Sequence, residues 1–131
     1  MVGIDDTMER LLAYHGRRYW LENGWSVEFR IRRVAITEGR PYGVKYSLTL
    51  HDVDCKRLLG YDNAHGVPRQ VEWDHRHSFR NVGELRPYKF TDADKLLADF
   101  FASLQRACES EGIAFDIVHE NSILEPELWE E

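Results

Sequence analysis

The chain is poor in cysteine and has no long apolar run. Its two cysteines, Cys55 and Cys108, follow neither a CxxC spacing nor a framework pattern. A disulfide-stapled scaffold is thereby excluded, and free thiols in a reducing compartment are expected. No stretch approaches the roughly 18 to 20 apolar residues that a membrane-spanning helix needs. The N-terminal segment carries Asp5, Asp6 and Glu9 where a signal peptide would be basic and then apolar. The expected location is therefore cytoplasmic, with no membrane partner. Prolines stand singly at 41, 68, 87 and 126, and neither a linker nor an internal repeat divides the chain. GxxxxGK[ST], GxGxxG, HExxH and GxSxG are all missing, so nucleoside-triphosphate, dinucleotide, zinc-finger and hydrolase-elbow sites have no support, and neither cysteine sits in a nucleophile context.

What is present describes a folded body. The 131 residues fit one core, and 43% hydrophobic content with four Trp, six Tyr and six Phe is globular composition. The net charge of -6 is unevenly placed: residues 1–90 hold 15 Lys and Arg against 12 Asp and Glu, and residues 91–131 hold 2 against 11. A mildly basic body with five of the six histidines can face an anion while the acidic end points elsewhere.

Periodicity gives the elements. Residues 5–13 make a short helix with Met8, Leu11 and Leu12 on one side. Runs 17–21 and 25–34 flank Asn23-Gly24, a hairpin signal, and in the second run Trp25, Val27, Phe29 and Ile31 alternate with polar residues. Residues 44–52 alternate again, and 57–62 make the next strand of a four-stranded meander. Residues 63–85 read as irregular, apart from a short strand through 71–79, and 88–90 as extended. Thr91 is placed to cap a helix through about Glu109, closed by Gly112, whose Leu96, Leu97, Phe100, Phe101 and Leu104 form one apolar face. Residues 113–118 add an edge strand. The expected class is α+β: an antiparallel sheet of about four or more strands with a short N-terminal and a long C-terminal helix on one face. One domain spans 1–119. An acidic tail, 120–131, carries Trp129 and is expected to dock on the basic sheet face or on a second subunit of a homodimer.

The densest polar group is Tyr61-Asp62-Asn63-Ala64-His65-Gly66 followed by Asp74-His75-Arg76-His77. In a strand His75 and His77 share one face while Asp74 and Arg76 take the other. Imidazoles take and give protons near neutral pH. Two chemistries use such a group. One is metal-independent cleavage of RNA, with His65, His75, His77 and Tyr61 as candidates and Arg76 or Arg69 as the cation on the phosphorane. In the other, His75 and His77 ligate a divalent ion with His65 or Asp62. Surface histidines beside an Asx turn are the structural alternative. Arg69, Arg76 and Arg80 among the histidines disfavour a dication, so neither metal nor cofactor is expected. Arg30, Arg32 and Lys45 fall on the polar side of two paired strands and, with Arg69, are the expected nucleic-acid contacts. Tyr14, Tyr19, Trp20 and Trp25 read as packing rather than base stacking.

At Tyr46-Ser47-Leu48, Leu59 through Gly66, Asp74 through His77, Pro87 through Phe90 and Leu96 through Phe100, the sequence resembles a family of small prokaryotic proteins called TumE-like. It departs from that pattern in a longer spacer between His65 and His75 and in the acidic extension past Gly112. The resemblance implies the toxin of a two-gene toxin–antitoxin pair, with a helix-turn-helix antitoxin as partner, while RNA as target is what the histidine group suggests. Joined to the residues, it implies an endoribonuclease in which His65 and His75 or His77 serve as acid and base, Arg76 clamps phosphate, and Tyr61 and Asp62 orient an imidazole. A non-catalytic module binding nucleic acid or protein through the basic face is the alternative.

Overall fold

Strand alternation and a single amphipathic helix build one sheet with one covered face. The computed structural model describes residues 6–38, 40–63 and 74–123. In chain order the elements are α1 (Asp6–Leu12), β1 (Arg17–Leu21), β2 (Ser26–Arg33), β3 (Val44–His51), β4 (Arg57–Asp62), β5 (His75–Ser78), β6 (Asn81–Pro87), α2 (Ala93–Ser110) and β7 (Ile117–Ser122). The seven strands follow the order β6-β5-β4-β3-β2-β1-β7, and every pairing is antiparallel. The fold is therefore α+β. After β6 at one edge, the chain crosses the sheet as α2 and adds β7 at the opposite edge.

Asn23-Gly24 turns the β1–β2 hairpin, with Gly24 at φ 90° and the Asn23 side chain accepting from the Trp25 N–H at 3.1 Å. Register then sorts the side chains. Val27 faces Leu50, Phe29 faces Leu48 and Ile31 faces Tyr46, while Leu48 faces Tyr61 on β4. This set meets α2, whose Leu96, Phe100 and Leu104 are fully buried, each stabilising the fold by roughly 2 kcal/mol. Phe100 stands edge-on to Phe29, with centroids 5.7 Å apart. Asp92, not Thr91, caps α2: its carboxylate accepts from the Lys95 N–H at 2.8 Å, which places the helix start one residue later than expected. Gly112 at φ 73° closes the other end.

Three expectations change. The strand expected over 71–79 is β5, but the stretch after it, read as irregular, is the second strand of a β5–β6 hairpin, and β6 runs on to Pro87. Its two-residue link is Phe79-Arg80, with Arg80 itself at φ 58°, so the glycine or asparagine that announces such a turn is missing. The last strand pairs at 117–122 instead of 113–118. Strand structure thus continues past residue 119, and Ile123 is buried; residues 124–131 of the expected tail lie outside the described residues.

Candidate active site

The face of the sheet away from the helices is polar, and register arranges it in rows. Arg30, Ser47, Asp62 and His75 stand side by side across β2 to β5, and Glu28, Thr49, Gly60 and His77 form the next row. Gly60 opposes His77, so no side chain stands between that imidazole and the diagonal Asp62. His75 Nε2 lies 2.8 Å from Asp62 Oδ1, and His77 Nε2 lies 3.3 Å from Asp62 Oδ2. The two rings meet edge to face with centroids 5.2 Å apart. All three side chains are at most 12% exposed. One carboxylate therefore orients two imidazoles through their Nε2 atoms.

Arg57 completes the group, with Nη1 3.8 Å from Asp62 Oδ2. Plain alternation from Asp62 would turn residue 57 toward the helices. A register shift near His51, which brings Arg57 opposite His51, reverses its side. That irregularity hides Arg57 from a reading of the sequence.

Three consecutive residues do three different jobs. Tyr61 faces the helices, its hydroxyl 2.8 Å from Ser103 Oγ. Asp62 faces the histidines. Asn63 continues the ladder with its side chain, accepting from the Tyr46 N–H at 3.0 Å and donating to the Val44 carbonyl at 2.8 Å. Its role is anchorage of the end of β4, and so of Asp62, instead of a local Asx turn. On the helix side, Tyr46 donates to Asp74 at 2.7 Å and Tyr88 to Asp99 at 2.6 Å. Burial pushes the titration of both hydroxyls up, and burial also raises Asp74 despite the hydrogen bond from Tyr46.

The expected site residues divide accordingly. Asp62, His75 and His77 converge, while Tyr61 and Arg76 occupy the opposite face of the sheet. His65 and Arg69 lie outside the described residues. The expected basic stripe is mostly not a solvent face. Lys45 is fully buried, and Arg30 is held by Glu28 at 2.7 Å, leaving Arg32 exposed. Glu28 also takes Arg18 at 3.3 Å and His51 at 3.4 Å. Burial pushes its carboxyl upward, but the bonds from His51 and Arg30 outweigh that and hold it down at about 2.

Two imidazoles and a carboxylate whose ligand atoms lie within 4.8 Å of one another are also a donor set that a divalent ion accepts. The guanidinium groups counted against a dication are rearranged: Arg76 is on the other face, and Arg80 reaches Glu111 at 3.1 Å. Arg57 takes their place beside the carboxylate.

With this geometry in hand, comparison with known families gives one result. A family model described as Toxin TumE matches residues 15–107. The chain belongs to the TumE toxin family. The match runs from the approach to β1 into the last turn of α2, so it contains every residue of the Asp62 cluster and ends before β7. Membership places the chain on the toxin side of a toxin–antitoxin module, with a cognate antitoxin as its partner. Neither the curated proteins nor the solved structures contain a match. No helix among the described residues is long and apolar enough to cross a membrane.

Proposed function

We propose that this TumE-family toxin acts in the cytoplasm as an endoribonuclease that breaks the RNA backbone by metal-independent histidine acid/base catalysis. The observation that carries the reading is the convergence of His75 and His77 on the one carboxylate of Asp62. One imidazole takes the proton of the 2′-hydroxyl, whose oxygen attacks the adjacent phosphorus. The other gives a proton to the departing 5′-oxygen, so the products are a 2′,3′-cyclic phosphate and a free 5′-hydroxyl. Asp62 orients both rings, in the way a carboxylate orients the histidine of a catalytic triad. Arg57, on the same side of the sheet, replaces Arg76 as the guanidinium placed to meet the phosphorane charge. A guanidinium in that position also makes the group a poorer home for a dication.

The second reading, a non-catalytic binding module, draws on the low exposure of the histidines. One experiment separates the two. The chain and its His75→Ala/His77→Ala variant are expressed without antitoxin, and purified protein is assayed on RNA with and without EDTA. Growth arrest and EDTA-resistant cleavage by the wild type, both abolished in a variant that still folds, are expected. If the wild type neither slows growth nor cuts RNA, the enzymatic reading is wrong. Cleavage abolished by EDTA, with stoichiometric metal by elemental analysis, would convert the cluster into a metal centre.

A further inference from the structure

On the helix side of the sheet lies a groove that meets the Asp62 cluster only at His77. Arg76 stands opposite Tyr61 in the β4–β5 register, so both side chains leave the sheet toward α2. Together with Ser103 and Arg106 of α2 they line a cavity of about 240 Å³. It adjoins a second, of about 330 Å³, which shares Tyr61, Arg76 and Arg106 and adds Lys89. The pair falls in the size range of small-ligand sites, roughly 300–1,000 Å³. One wall is apolar, formed by Leu59 and Phe79.

The charge in this groove is unbalanced. Among the described residues Arg76 has neither a hydrogen bond nor an ion pair, although it is only half-exposed. Arg106 donates to Ser103 Oγ at 3.1 Å and meets no carboxylate among those residues. Ser103 Oγ is also the partner of the Tyr61 hydroxyl at 2.8 Å, so a hydroxyl pair sits beside the two cations. Asp99 is the single acid among the described residues that line either cavity, and it is already taken by Lys95 at 3.0 Å and Tyr88 at 2.6 Å. A guanidinium presents five N–H donors in a planar fork that fits phosphate oxygens. Two such forks beside hydroxyls answer the several oxygens of a phosphate better than the two of a carboxylate. The apolar wall next to them suits a nucleobase.

We propose that this groove binds the phosphate of a nucleotide unit, carried either by an RNA strand or by a free mononucleotide, through Arg76 and Arg106. Arg76 and Arg106 stand apart from the Asp62 carboxylate, the groove shares only His77 with that cluster, and its existence does not depend on that cluster being catalytic. The test uses fluorescence anisotropy with a labelled, non-cleavable 2′-O-methyl oligouridine of ten nucleotides, with uridine monophosphate and uridine as competitors. Wild-type protein should bind the oligomer, and uridine monophosphate should displace it where uridine does not. Arg76→Gln/Arg106→Gln should weaken binding at least tenfold and flatten its salt dependence by about 0.7 in log–log slope for each phosphate no longer neutralised. Arg106→Glu, on the exposed side of α2, gives the same direction without disturbing a buried group. Binding of uridine monophosphate alone assigns the groove to free nucleotide, and tighter binding of the oligomer assigns it to a strand. A folded double variant that binds both probes like wild type, uridine competing as well as its monophosphate, or a wild type that binds neither probe would overturn the proposal. His75→Ala should leave this binding intact while cleavage disappears, so failure of one reading is distinguishable from failure of the other.

Discussion

Parity along a strand decides what each residue of the Tyr61-Asp62-Asn63 run can do. Asp62 reaches the histidines because β5 pairs Asp62 with His75 and leaves the diagonal to His77 open over Gly60. The same logic makes Glu28 the second charged centre of that face, with Arg18, Arg30 and His51 around it. Its carboxyl titrates at about 2 when folded, against an ordinary 4.5. A depressed carboxyl adds stability that is fully present above its unfolded value and is lost as pH falls through the folded one. The term is worth up to about 3 kcal/mol. Urea unfolding should therefore show wild-type stability falling more steeply than that of Glu28→Gln between about pH 4.5 and 2, with the variant weaker at pH 6. Parallel curves would show that Glu28 does not carry this effect. The sequence made the pairing of His75 with His77 legible, since positions two apart in a strand share a face. It did not make Arg57 legible, because only the register shift turns that side chain toward Asp62. Nor did it reveal that Lys45 is buried, since alternation assigns a face but not what covers it.

At the scale of elements, the parts legible in the sequence are those with strong local signals. The β1–β2 hairpin has Asn-Gly, β2 and β3 alternate cleanly, and α2 has a broad apolar face. The β5–β6 hairpin has none of these: its first strand is His-Arg-His-Ser, and Arg80 takes the left-handed conformation usually given to glycine. Helix α2 depends on a cap that two neighbouring residues could have supplied. Thr91 and Asp92 are both cap types, and the difference lies in which side chain reaches the exposed N–H of Lys95. Asp92→Ala should cost about 1 kcal/mol of unfolding free energy, and Thr91→Ala only a few tenths. Denaturant midpoints of the two variants measure this directly. Equal losses would mean that the Asp92 bond contributes nothing beyond position.

For the whole molecule, the consequential feature is the path of the chain after α2. The family match ends at residue 107, yet the chain continues and adds β7 to the free edge of β1. Without it β1 would present unpaired backbone groups to solvent, a template for association with another chain. The strand itself is exposed along its whole length, so its hold on the body is chiefly the ladder to β1. The Trp20 Nε1–H donation to Asn121 at 3.3 Å and the burial of Ile123, whose N–H bonds the Gly16 carbonyl at 2.7 Å, add to that hold. Burial of Ile123 contributes about 2 kcal/mol and sets the scale of that hold. Two truncations test it. Ending the chain after Ile123 keeps β7 and serves as the reference for the second truncation. Ending it after Asp116 removes β7 and should lower the melting temperature by roughly 5–10 °C. The shorter protein should also self-associate at high concentration in light scattering, through the exposed edge of β1. If both truncations melt together and both remain monodisperse, β7 is an appendage of the sheet and the edge of β1 needs no cover.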